Sequence, residues 1–165
     1  MKLKELHRKY ILLGMIGFII IGLMVAKVMA KNQDEYFLKN ELLYDQVQRL
    51  YNEENFEEAA IYIEELLKNQ PNSEVVNYMG GLISAINQDY NKAAILMQKA
   101  LDTNPYRVED PIFMLQLGEI FFKAERYEDA KTVLIRCQEW WWQPEEYPNY
   151  QERVQELLTA IKNQQ

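Results

Sequence analysis

Three pairs of adjacent carboxylates, Glu53/Glu54, Glu57/Glu58 and Glu64/Glu65, together with His7 and Cys137, are the side chains best suited to acid–base, nucleophilic or metal chemistry. Paired carboxylates act as acid and base only where their surroundings drive their pKa values apart. At these spacings they instead decorate the solvated face and turn of a helical hairpin. A serine or cysteine nucleophile needs a base, and the only histidine, His7, stands beside a long apolar run, far in sequence from every candidate. A single cysteine makes no intramolecular disulfide, and one histidine with one cysteine cannot build a metal-ligand spacing. No glycine-rich phosphate loop is present. The expectation is a protein with no catalytic residues, no cofactor and no metal, in which Cys137 serves as a small buried hydrophobe.

The 165-residue chain must therefore be read for what its elements hold together. Charge is split unevenly. Residues 1–30 carry five basic side chains against one acid, net +4, and residues 31–165 carry thirteen against twenty-four, net −11. An acidic body repels phosphate backbones and anionic lipid surfaces, which excludes nucleic acid as a partner.

From Ile11 to Ala26 the chain reads ILLGMIGFIIIGLMVA without a charge, and the apolar stretch extends over residues 10–30. At ~1.5 Å per residue this spans a hydrocarbon core of about 30 Å. Lys27 falls in the last turn, where its stem can carry the ammonium to the headgroups. Gly14, Gly17 and Gly22 do not fall at GxxxG spacing, so they carry no packing motif. A cleaved signal peptide is the competing reading, because Val28-Met29-Ala30 offers small residues after a basic and an apolar region. The length of the charge-free run, Lys27 ahead of the cleavage position and the helical pattern beyond it favour a retained anchor. Lys2, Lys4, Arg8 and Lys9 precede the span, and Lys27, Lys31 and Lys39 come after it with Asp34 and Glu35, so the N-terminus is expected on the cytoplasmic side. Residues 1–9 form a basic tail. Residues 31–39 read as a juxtamembrane helix that continues unbroken past residue 40, with no proline or glycine between Lys31 and Glu53.

Phe56-x-x-Ala59 recurs as Tyr90-x-x-Ala93 and as Tyr127-x-x-Ala130, the first interval being 34 residues, and Pro71 and Pro105 are also 34 apart. Each proline ends a helical pattern, as a residue with no N–H and a backward-clashing ring must. On this period, and on the run KAAILMQKALDTNP from Lys92, the chain resembles the tetratricopeptide-repeat (TPR) family, whose unit is a pair of antiparallel helices. The resemblance implies an all-α fold: one N-terminal transmembrane helix, then a solenoid of three helix pairs over residues 40–165. Repeat 40–73 is degenerate, with Val47 and Leu66 at small-residue positions; 74–107 matches best, with Gly81, Tyr90, Ala93, Ala100 and Pro105. Repeat 111–144 carries LQLGEIFF, Tyr127, Ala130 and Cys137 but ends on Trp142 in place of proline. Val108, Glu109 and Asp110 lengthen the turn before it. Tyr150, Val154, Leu157, Leu158 and Ile161 make one stripe of a capping helix over residues 149–163.

TPR proteins commonly bind ligands on the concave face built by the first helix of each pair. The resemblance places Tyr44, Gln48 and Tyr51 there from the first repeat, Tyr78, Met79, Leu82 and Ile86 from the second, and Leu115, Glu119 and Phe122 from the third. The lysines and asparagines with which some TPR domains clamp acidic C-termini are replaced by Tyr44, Gln48, Met79, Ile112 and Gln116. The side chains present suit an apolar helix or segment with basic flanks. Filling of the groove by the chain's own juxtamembrane or capping helix, or by a second copy, is the alternative. Trp140, Trp141 and Trp142 point about 100° apart on a helix, so at least one is expected to be exposed as a protein or headgroup anchor, packing under the capping helix being the alternative.

The expected function is a non-enzymatic scaffold or assembly subunit tethered to a membrane, its partner a client polypeptide or a subunit of a membrane complex. The expected location is a bacterial cell membrane with the repeats on the extracytoplasmic side. The plan resembles anchored TPR subunits of secretion, cytochrome-biogenesis and pilus-assembly machineries. A cytosol-facing targeting receptor that captures amphipathic signal helices is the other reading, and it requires the opposite topology.

Overall fold

The computed structural model describes residues 5–140 and 143–164, and among them every regular element is helical. The elements are α1 (Glu5–Asn52), α2 (Phe56–Asn69), α3 (Glu74–Ile86), α4 (Tyr90–Thr103), a 3-10 turn (Pro105–Glu109), α5 (Pro111–Lys123), α6 (Tyr127–Glu139) and α7 (Tyr150–Lys162). They fall into two compact units, Met1–Leu42 and Leu43–Gln165.

In the first unit, α1 is long and apolar enough to cross a membrane, its best window averaging a hydropathy of 2.5 with none of it buried. The large apolar side chains from Tyr10 to Met29 are exposed, Phe18 by 79 %.

The second unit is a TPR-type solenoid of three helix pairs and a cap. Helix starts are written locally: Asn55, Ser73, Asp89 and Asp110 each accept a backbone N–H three residues on, from Glu58, Val76, Lys92 and Phe113. Helix ends are written less obviously. Glu54, Gln88 and Glu125 sit at φ 57°, 66° and 59°, one in each turn inside a helix pair. The next residue's N–H reaches back to close the helix in each case: Asn55 to the Leu50 carbonyl, Asp89 to Ser84 and Arg126 to Phe121, all at 2.9 Å. This is the Schellman ending, which favours glycine because an L side chain in the left-handed region costs about 1–2 kcal/mol. Gln88→Gly is expected to stabilise the fold by about 0.5–1 kcal/mol, after the extra entropy glycine gains on unfolding, as a rise in the urea midpoint.

Two apolar clusters form the core. One joins Val47 and Leu50 of α1 to Ala59, Ile63 and Leu66 of α2 and Val76 and Ile83 of α3. The other runs from Ala93, Met97 and Ala100 of α4 through Phe113, Leu117 and Phe121 of α5 and Leu134 and Cys137 of α6 to Tyr150, Val154 and Ile161 of α7. Small residues set the spacing within each pair. A Cβ on Gly118 would lie 2.7 Å from Leu134 Cδ2 and 2.9 Å from Cγ, and one on Gly81 would lie 2.7 Å from Met97 Cγ. Leucine is branched and held; methionine can swing aside. Gly118→Ala is therefore expected to cost about 1–3 kcal/mol in denaturant titration, and Gly81→Ala less.

Val47 and Leu66 are fully buried, so the first pair accommodates larger residues where the family prefers small ones. Pro71 follows the C-cap Gln70 of α2, and Pro105 opens the 3-10 turn directly after α4 and its C-cap Asn104. That turn takes up most of the lengthening between the second and third pairs.

Candidate functional site

The expected groove side chains lie on the first helices of the pairs, α1 (its residues 43–52), α3 and α5, and Tyr78 of α3 reaches both α5 and the 3-10 turn. The Tyr78 hydroxyl donates to Gln116 Oε1 at 2.9 Å, and its ring lies 5.5 Å from that of Phe113. Arg107, from the 3-10 turn, stacks its guanidinium 5.0 Å above the Tyr78 ring and 5.6 Å from Phe113. It donates from Nε to Glu74 Oε1 and from an η nitrogen to Asp110 Oδ2, both at 2.8 Å. One residue thus ties the start of α3 to the start of α5 across the aromatic patch.

The electrostatics of the patch are set by these contacts. Burial works against the Arg107 charge, but the hydrogen bonds it donates to Glu74 and Asp110 outweigh it and raise its pKa, so the cation is fully held. Two carboxylates share one guanidinium, which leaves a local excess of negative charge. Burial raises the Tyr78 phenol, with Asp110 adding to it and Arg107 opposing. Burial likewise raises Tyr44, which is hydrogen-bonded to Gln48 and feels both Glu74 and Arg107. Both phenols stay neutral.

The other expected groove residues are distributed less uniformly. Tyr51 is half-buried and edge-on to Phe56 at 5.5 Å; Phe122 is half-buried against Tyr127 at 5.7 Å. Met79 and Leu82 are half-buried, Gln48 is exposed and Ile86 is 41 % exposed. Leu115 is only 4 % exposed and packs in the core, while the neighbouring Gln116 accepts from Tyr78. Glu119, expected in the groove, is paired with Arg153 of the capping helix at 2.6 Å, and Arg153 also holds Glu156 at 3.0 Å. The hydrogen bond that Arg153 donates to Glu119 is the main reason its pKa is raised.

Three residues of the site, Glu74, Arg107 and Asp110, were not legible as such. Arg107 and Asp110 lie in or beside the turn, outside the helical positions that define a TPR face; the available signal was that Glu74 opens the second repeat and Arg107 closes it.

Trp140 is 47 % exposed, with the Arg136 guanidinium 4.7 Å from its ring. Trp141 and Trp142 lie outside the described residues.

Cys137 is fully buried. Burial pushes its thiol above the ordinary 9.0, the Tyr150 hydroxyl and Arg136 opposing. Tyr150 is also fully buried and donates to the Pro111 carbonyl at 2.9 Å, and burial raises its phenol too. In the unfolded chain these groups ionise at their ordinary values, 9.0 for the thiol and 10.0 for the phenol. Their contribution is therefore complete below pH ~9 and is lost progressively above it. Native chain is expected to react with a maleimide only at the rate of global unfolding, and denaturant midpoints to fall as pH rises past ~9.

No protein-family model matches the chain. No curated protein matches it either. Solved structures do. The Yersinia enterocolitica type III secretion chaperone SycD, in complex with a peptide of the translocator YopD, superposes with a TM-score of 0.59 at 19% identity, covering 75% of this chain and 92% of that one. The TPR2B domain of yeast Sti1, in complex with pHsp70, gives 0.59 at 14% identity over 78% and 99%. The first TPR domain of human RPAP3 gives 0.59 at 15% over 76% and 97%. At these identities the likeness establishes the TPR fold.

Proposed function

We propose that this chain is a non-enzymatic, single-pass membrane protein whose TPR domain holds a polypeptide partner, either a client or a subunit of a membrane complex, on the face built by α1, α3 and α5. The observation that carries the reading is the ordered aromatic patch around Tyr78. The Tyr78 ring is half-exposed over a buried Phe113, its hydroxyl is oriented by Gln116, and Arg107 ties the helices on either side. A face organised before binding loses little entropy on binding. SycD and Sti1 have been solved with a translocator peptide and with pHsp70, and the same use of the fold is inferred here.

Charge defines the partner chemistry. Arg107 and Arg153 are already saturated, Glu41 and Asp45 are exposed beside Tyr44, and the body carries net −11. A segment with apolar side chains and basic flanks is the complementary ligand. Residues 10–30 supply the anchor, with residues 1–9 cytoplasmic and the repeats of residues 40–165 on the extracytoplasmic side of a bacterial membrane.

A photo-crosslinking residue at Tyr78 or Phe122, in intact cells, tests the face: a captured partner polypeptide is expected, and capture of only the chain's own helices would show the groove filled in cis. Protease protection of a C-terminal tag on spheroplasts tests the side. Digestion from outside is expected; protection would favour a cytosol-facing receptor for amphipathic signal helices.

A further inference from the structure

A second cleft lies away from the α1–α3–α5 face, between α6 and α7. It measures about 320 Å³, is floored by Leu158 and Ile161, and is flanked by Lys131 from α6 and Lys162 from the last turn of α7. Neither lysine has a carboxylate partner among the described residues. In a body of net −11 two unpaired ammonium groups over one apolar floor are a local reversal of charge. The opposite side of α7 is different in kind: Glu152, Gln155, Glu156 and Thr159 make it polar and acidic.

We infer that this cleft binds the C-terminus of a partner polypeptide ending in an apolar residue. The α-carboxylate and the side chain of a terminal residue share one carbon, so a single residue can deliver an anion to Lys131 and Lys162 and an apolar group to Leu158 and Ile161. The volume sits at the small end of the range for ligand pockets, about 300–1,000 Å³, and admits one or two residues of chain where a helix would not fit. Charge-assisted hydrogen bonds from two ammonium groups orient the carboxylate, and the floor supplies apolar burial. A diacyl lipid fits less well, because two apolar side chains cannot cover its tails and the acidic body disfavours an anionic bilayer. The inference does not depend on the Tyr78 face being open.

The test uses the full chain in neutral phosphatidylcholine nanodiscs and fluorescein-labelled peptides Gly-Ser-Gly-Ala-Xaa, with Xaa leucine, valine or phenylalanine, each as free acid and as C-terminal amide, read by fluorescence anisotropy. Saturable binding of the free acid is expected, weaker by about tenfold or more for the amide because the charge-assisted contacts are lost. Lys131→Met combined with Lys162→Met keeps the apolar stems and should weaken the free acid by a similar factor, whereas Lys131→Arg should retain binding. Equal affinity for acid and amide, unchanged binding by the double variant, or no saturable binding by any of the peptides would overturn the inference. So would saturation by decanoate without any by the peptides, which would make the cleft a site for fatty anions.

Discussion

Phe113→Ala is expected to cost about 3–5 kcal/mol, the range for truncating a fully buried aromatic. Phe113 has no exposed surface, lies in the larger apolar cluster, and supports the Tyr78 ring on one side and the Arg107 guanidinium on the other. Its removal leaves a cavity in the core and takes the floor from the aromatic patch. A large fall in the denaturant midpoint should be accompanied by loss of crosslinking from position 78 under conditions where the chain is still folded. Ile95, 64 % exposed on α4, is the control, with a change within about 0.5 kcal/mol expected on replacement by alanine. A Phe113→Ala cost below about 1 kcal/mol would mean that the α3–α5 packing is not what holds the patch.

Ile16→Arg together with Ile20→Arg is expected to release the chain from the membrane. Both residues lie near the middle of the apolar stretch, and an arginine at the centre of a spanning helix costs about 2.5–3.5 kcal/mol, so two oppose insertion by roughly 5–7 kcal/mol. The readout is the carbonate-resistant membrane fraction, which should fall from nearly all of the chain to a minor share. Ile61→Arg, at a residue 69 % exposed on α2, places the same charge outside the apolar stretch and should leave that fraction unchanged. Full retention of the double variant would remove the basis for a spanning helix at residues 10–30.

Much of the fold is legible in residue types because its determinants are local or periodic. The 34-residue interval between Phe56 and Tyr90 and between Pro71 and Pro105 reports a unit that must stack on its neighbours, and stacked units bury the same positions each time. Ala59, Ala93 and Ala130 are all fully buried at the recurring position. Cys137 was readable as a core residue for the same reason. The left-handed turn residues were not readable, because Glu54, Gln88 and Glu125 are poor formers of that conformation and are held in it by the helices on either side.

The candidate site was legible only in part. Positions on a helix face can be counted once the family resemblance supplies the pattern, and that pattern assigned Tyr44, Tyr51, Tyr78 and Phe122 to one face. Counting gives a position on a helix face but not its depth: Leu115, at the same repeat position as the half-buried Tyr78, is 4 % exposed. Pairing between side chains of different helices cannot be counted at all. Arg107 with Glu74, and Arg153 with Glu119, join residues 33 and 34 apart through side-chain reach across neighbouring helices.

By itself the sequence determined the all-helical class, the repeat period and an apolar stretch long enough to span a bilayer, since each depends on residue type and spacing along one chain. The tertiary structure alone decided which charges on the repeat face are already neutralised, which aromatic rings stay half-exposed, and where two lysines meet over an apolar floor. The physical reason is that helix faces arise from a local period, whereas charge neutralisation and exposure depend on which side chains from separate repeats come within a few ångströms of each other.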